Sequence, residues 1–169
     1  MNDSMLMRLF QSLTKAPRIV CDKKIWEEGV RELNRRTKGV HESGAFLLGS
    51  ESMGTRTIKK FLFYDDIDQN CFDHGIVEFN GFKFGAVWDA CRKLRMGVAA
   101  DVHVHPYGCG QSDSDQENPM MLKAGHLAFI LPNYASGPVM PGKIGIYEYL
   151  GKKKWSDHSR SGNKFFEIR

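Results

Sequence analysis

No stretch of this 169-residue sequence is apolar over the roughly 18 residues that a bilayer-spanning helix needs, so no membrane segment is expected. The opening, Met1 to Phe10, is only briefly apolar. It lacks a basic start, a long apolar stretch and a small-residue cleavage site, so no secretory leader is expected either. Cysteine is sparse and scattered: Cys21, Cys71, Cys91 and Cys109 form no C-x-x-C pair. That speaks against a disulfide framework and for a reduced, cytoplasmic protein. Charge of one sign is lacking too. The net charge of +4 is mild and the basic residues make no long stripe, so nucleic acid is not an expected partner. Internal repeats and low-complexity linkers are absent, which points to one domain, 22–169, preceded by an N-terminal extension, 1–21.

What is present is a mixed pattern. Met5 to Lys15 reads as a short amphipathic helix and Arg18 to Cys21 as a short β-like piece. Asp22 can cap a helix to about Arg36, in which Ile25, Trp26, Val30 and Leu33 recur at helical spacing before Lys38-Gly39 stops it. Gly44 to Gly49 is an apolar run bounded by glycine, the signature of a buried strand. Thr57 to Tyr64 is rich in β-formers. Asp65 to Asp73 reads as an acidic loop, either solvated or a rim facing a basic substrate tail. Gly81 to Met96 predicts a helix with Phe84, Val87, Trp88, Cys91 and Leu94 on its core face. Val98 to His105, His126 to Leu131, Ile144 to Leu150 and Phe165 to Ile168 read as strands. A short helix is expected from Ser112 to near Gly125, and Lys152 to Lys154 as a solvated turn. The fold class is α+β, an α/β sandwich, with a mixed, mainly antiparallel sheet of about six strands flanked by helices.

The segment Asp101-Val-His-Val-His-Pro106 carries the chemistry. Residues two apart in a strand point to the same face, so His103 and His105 project side by side, as two imidazole ligands of one metal would. Asp115, at the start of the next helix, can supply a third ligand and leave a fourth position for water. Each piece has a plainer reading. His-x-His recurs by chance, and Ser112-x-x-Asp115 is also a capping box. His126 reads as a structural histidine and Cys109 as a loop cysteine. Other His-x-His frameworks fit poorly: the metallo-β-lactamase pattern needs Asp-His where Tyr107 and Gly108 stand, and a cupin needs Glu where Cys109 and Gly110 stand.

His103-Val-His105-Pro106 followed by Ser112-x-x-Asp115 resembles the motif of the JAMM (JAB/MPN) zinc metallopeptidases, in particular the prokaryotic JAB group. Glu42-Ser-Gly-Ala-Phe-Leu-Leu-Gly49 resembles the family's upstream glutamate and strand. Gly125 to Asn133 and Gly145 to Gly151 resemble its downstream strands. The resemblance spans about residues 22 to 151. The loop between His105 and Ser112 is one residue shorter than the usual spacing, which leaves Asp113 as a competitor of Asp115.

The resemblance implies a JAB/MPN fold and one Zn²⁺ on His103, His105 and Asp115. It implies Glu42 as general base and Ser112 as donor to the oxyanion. The implied activity is a deubiquitinase-like isopeptidase that cleaves after the C-terminal glycine of a ubiquitin-like protein. Members of this kind accompany E1-like and E2-like proteins in antiphage operons of the CBASS or Bil type. A non-catalytic scaffold, or a peptidase releasing a sulfur-carrier protein, are the alternatives.

Overall fold

Residues 16–169 are described in a computed structural model. The expected helix at Met5 to Lys15 lies outside them. The chain runs β1 (Ile19–Cys21), α1 (Lys23–Thr37), β2 (Gly44–Ser52), β3 (Thr55–Phe63), α2 (Phe84–Leu94), β4 (Gly97–Val104), α3 (Asp113–Glu117), β5 (Leu127–Leu131), β6 (Gly145–Gly151), β7 (Lys154–Asp157) and β8 (Phe166–Ile168). The strands form one sheet in the order β7-β6-β5-β4-β2-β3-β1-β8.

The α+β class is as expected, but the sheet has eight strands where about six were expected. Four pairings are antiparallel (β2 with β3 and β4, β6 with β5 and β7), and three are parallel (β1 with β3 and β8, β4 with β5). The strand unforeseen in the sequence is β7. Its lysine-rich approach does form a turn, with Lys152 and Lys153 at φ 51° and 58°. Such left-handed pairs match the twist of a hairpin, so the chain returns along β6.

Asp22 caps α1 through the N–H groups of Lys24 and Ile25, and Lys38 ends it in the left-handed region. One face of the helix buries Trp26, Val30 and Leu33 against the sheet. Alternation in β2 then divides the core: Ala45 and Leu47 pack on the α1 side, and Phe46 and Leu48 on the other, against Val87 and Cys91 of α2. Burial on both faces explains the unbroken apolar run. Phe166 of β8 packs against Phe129 of β5 at 5.0 Å between centroids, and Arg18 reaches Glu148 of β6 at 2.7 Å. The sheet is therefore curled, with its two halves meeting on the α1 side.

Two helical expectations are corrected. A single turn of 3-10 helix, Gly81–Lys83, precedes α2, and Trp88 is 39% exposed instead of core. The helix after Ser112 ends at Glu117, not near Gly125. Asn118 precedes Pro119, and a residue before proline is pushed out of the helical region; Asn118 sits at φ −123°, ψ 65°. Among the described residues no helix is long and apolar enough to cross a membrane.

Candidate metal centre

In β4, Val102 and Val104 face the α1 side of the core, so Asp101 and His103 face the other side. His105 continues that face past the strand end, where its N–H bonds to Leu131 O at 2.9 Å. His103 Nε2 lies 2.9 Å from His105 Nε2. Asp115 completes the group, with Oδ1 3.2 Å from His103 Nε2 and Oδ2 3.3 Å from His105 Nε2. The ligand atoms of these three residues all lie within 4.8 Å of one another, so the group could hold a metal ion. Two ligands about 2.0–2.1 Å from a tetrahedral Zn²⁺ are themselves about 3.3 Å apart, close to the spacings here. Two imidazoles and one carboxylate also suit a zinc site with an open position. The residues therefore fit the group.

Asp115, not Asp113, joins the histidines. Its place is fixed by the helix cap. Ser112 N–H and Oγ–H both donate to Asp115 Oδ2, at 2.7 and 2.8 Å, while Asp115 N–H donates to Ser112 Oγ at 3.2 Å. The capping-box reading is thus satisfied, and the same bonds hold the Asp115 carboxylate beside the two histidines. Burial raises the pKa of Asp115, but bonds from His103 and His105, the charge of His103 and the Ser112 N–H outweigh it and hold the carboxyl well below the usual range. Burial likewise disfavours charge on His103, but the bond and charge of Asp115, with Asp101 and Glu42 beyond, hold its pKa above the ordinary histidine value.

Glu42 comes from the segment before β2. Its Oε1 lies 3.8 Å from His105 Nε2, and its Oε2 accepts from Val77 N–H at 2.9 Å. The five residues singled out in the sequence thus meet at one place. No feature of the sequence marks Val77, because its contribution is a backbone N–H.

Two further features escaped the sequence reading. Asp101, directly below His103, is buried and accepts from His126 Nε2 at 2.6 Å and from Tyr64 Oη–H at 3.1 Å. Burial and the neighbouring Asp101 push the Tyr64 hydroxyl well above its usual pKa, so it stays a donor. His126 is the satisfied structural histidine expected. Trp155 of β7 donates to Gln116 O at 3.2 Å and lines a small cavity of about 60 Å³ with His103 and Asp115. In the acidic loop, Asp65 and Asp66 bind Arg36 at 2.5 and 2.7 Å, and Arg36 also pairs with Glu32 at 2.8 Å. Asp68 is buried and accepts from Asn80 N–H at 2.9 Å.

No family model matches this chain. The fold is similar to two proteins solved in solution. One is from Desulfitobacterium hafniense, at 17% identity and a TM-score of 0.63, over 89% of this chain and 92% of that one. The other is from Salinibacter ruber, at 14% identity and a TM-score of 0.54, over 82% and 87%. At these identities the likeness shows the fold alone.

Proposed function

We propose that this protein is a zinc-dependent peptidase or isopeptidase of the JAMM type, on a JAB/MPN fold, acting on the glycine-ended tail of a ubiquitin-like protein. The observation that carries the reading is the joining of Glu42 to the His103–His105–Asp115 group, from three separate places in the fold. A metal-binding cluster alone has many uses; a carboxylate beside it, held by a backbone N–H and not itself among the ligands, is the arrangement hydrolysis needs.

His103, His105 and Asp115 would hold a Zn²⁺, which would supply a water of lowered pKa and a polarising charge for the scissile carbonyl. Glu42 takes the proton of the attacking water and returns it to the leaving amine, and Val77 keeps its second oxygen in place. Ser112 anchors Asp115 by its hydroxyl; a role toward the oxyanion requires that hydroxyl to turn from Oδ2 to the substrate. The tail has an approach as well. Ile76 to Phe79 belongs to no strand and borders a cavity of about 670 Å³. A glycine-ended chain is narrow enough to run past this wall to the metal centre.

The test is a ubiquitin-like protein with a Gly-Gly terminus fused to a reporter. Wild-type protein loaded with zinc is expected to release the reporter, and a chelator to stop it. Equal release by wild type and Glu42→Ala would sink the reading.

A further inference from the structure

Three cavities lie side by side along the α2 face of the sheet. The small one at the metal centre shares Val77, Ser114 and Met120 with the cavity of about 670 Å³. That one shares Trp88 and Met121 with a third, of about 470 Å³, at the opposite end of β4. The three adjoin in a row, termed the groove, that leads away from the metal centre. Its middle is apolar, with Ile76 43%, Trp88 39% and Leu122 82% exposed. Glu78 lines it but is paired with His74.

The far end is basic. Arg56, Arg95 and Lys123 line it. Arg56 is tied down, donating to Ala99 O at 3.0 Å and Gly125 O at 2.8 Å, with Glu51, the acid in this wall, 3.5 Å away. Arg95 and Lys123 are exposed, and their side chains have no ion-pair partner among the described residues. Two unpaired cations at the mouth of a cleft focus a positive potential along it.

We propose that this groove selects an extended polypeptide that carries small and apolar residues beyond the glycine at the scissile bond and acidic side chains further out, the acidic ones held by Arg95 and Lys123. The proposal rests on the peptidase reading of the metal centre. The spacing follows from the strand below. Val98, in the basic end, is five residues from His103, or about 17 Å at about 3.3 Å per residue. An extended chain rises at the same rate, so the acidic group falls about five residues from the bond.

The experiment measures binding on zinc-free protein by fluorescence anisotropy. The probes are labelled peptides with about five small and apolar residues and, at either end, a block of Glu or a block of Lys. One Glu peptide is expected to bind about tenfold more tightly than its Lys counterpart, with the preference shrinking in high salt. The double variant Arg95→Glu with Lys123→Glu, both surface positions, is expected to abolish or reverse it. Equal binding of Glu and Lys peptides, or a Glu preference that survives the double variant, overturns the proposal. No cleavage enters this readout, so its failure leaves the metal centre untouched. Failure of the fusion assay, in turn, leaves the charge preference measurable.

Discussion

Gly44 of β2 and His103 of β4 are register partners across an antiparallel pair. In such a pair, moving two residues back on one strand meets two residues forward on the other. Glu42 is therefore level with His105, and this register brings the carboxylate to the histidines. The close pairing also leaves Gly44 no room for a side chain: a Cβ there would come 2.3 Å from the Tyr64 ring and 2.9 Å from Val102 O.

Gly44→Ala is expected to destabilise the protein by about 1–3 kcal/mol, because buried Tyr64 and the β4 backbone must both shift. Urea unfolding of the metal-free protein measures it. Stability equal to wild type would show that β2 and β4 have slack at this level.

Glu42→Gln keeps the size of the side chain and removes the base. Metal content by mass spectrometry is expected to stay within a few fold of wild type, while turnover of the fusion drops about 10²–10⁴-fold. Loss of metal together with activity would make Glu42 a ligand or a structural anchor instead.

Ser112→Ala removes the cap on α3 and one of two bonds that orient Asp115 Oδ2. The expected losses are about 1 kcal/mol of stability and about 10–100-fold in zinc affinity, read by denaturation and by calorimetry. Ser112→Thr, which retains the hydroxyl, should recover most of both. An alanine variant that binds zinc as wild type does would show that the backbone N–H of residue 112 alone holds the carboxylate.

On α1, hydrogen bonds from Arg35, then from Arg36, lower the Glu32 carboxyl to a pKa of about 2. A pKa depressed in the folded state means stability that is present above about pH 4.5 and is lost as the pH falls toward 2. Carboxyl titration by NMR should show the low midpoint, and Arg35→Ala should raise it toward the ordinary glutamate range. A midpoint unchanged by that substitution would assign the shift to Arg36 instead.

Much of the site was legible locally. His103 and His105 had to share a face because strand geometry has a period of two, and Ser112 had to begin a helix because Asp115 follows at capping distance. Buried β2 was equally readable from its apolar run. The end of α3 was misplaced near Gly125, although Pro119 marks it by pushing Asn118 out of the helical region. Strand β7 was not legible, because Lys154 to Asp157 is polar and is a strand only by pairing with β6.

The sequence by itself therefore determined how His103, His105, Ser112 and Asp115 are each presented by their own strand or cap, since those are local geometries set within a few residues. Only the tertiary structure decided that they meet. The β2–β4 register places Glu42 beside His105, the Val77 N–H fixes its second oxygen, and the Asp101–His126–Tyr64 bonds fill the floor under His103. It also decided which charges face the groove. Arg36 is far from the acidic loop in the chain but pairs with its Asp65 and Asp66, while Arg95 and Lys123 line an open end. Pairing between distant segments leaves no mark in the order of residues, because it depends on how the whole sheet curls and packs.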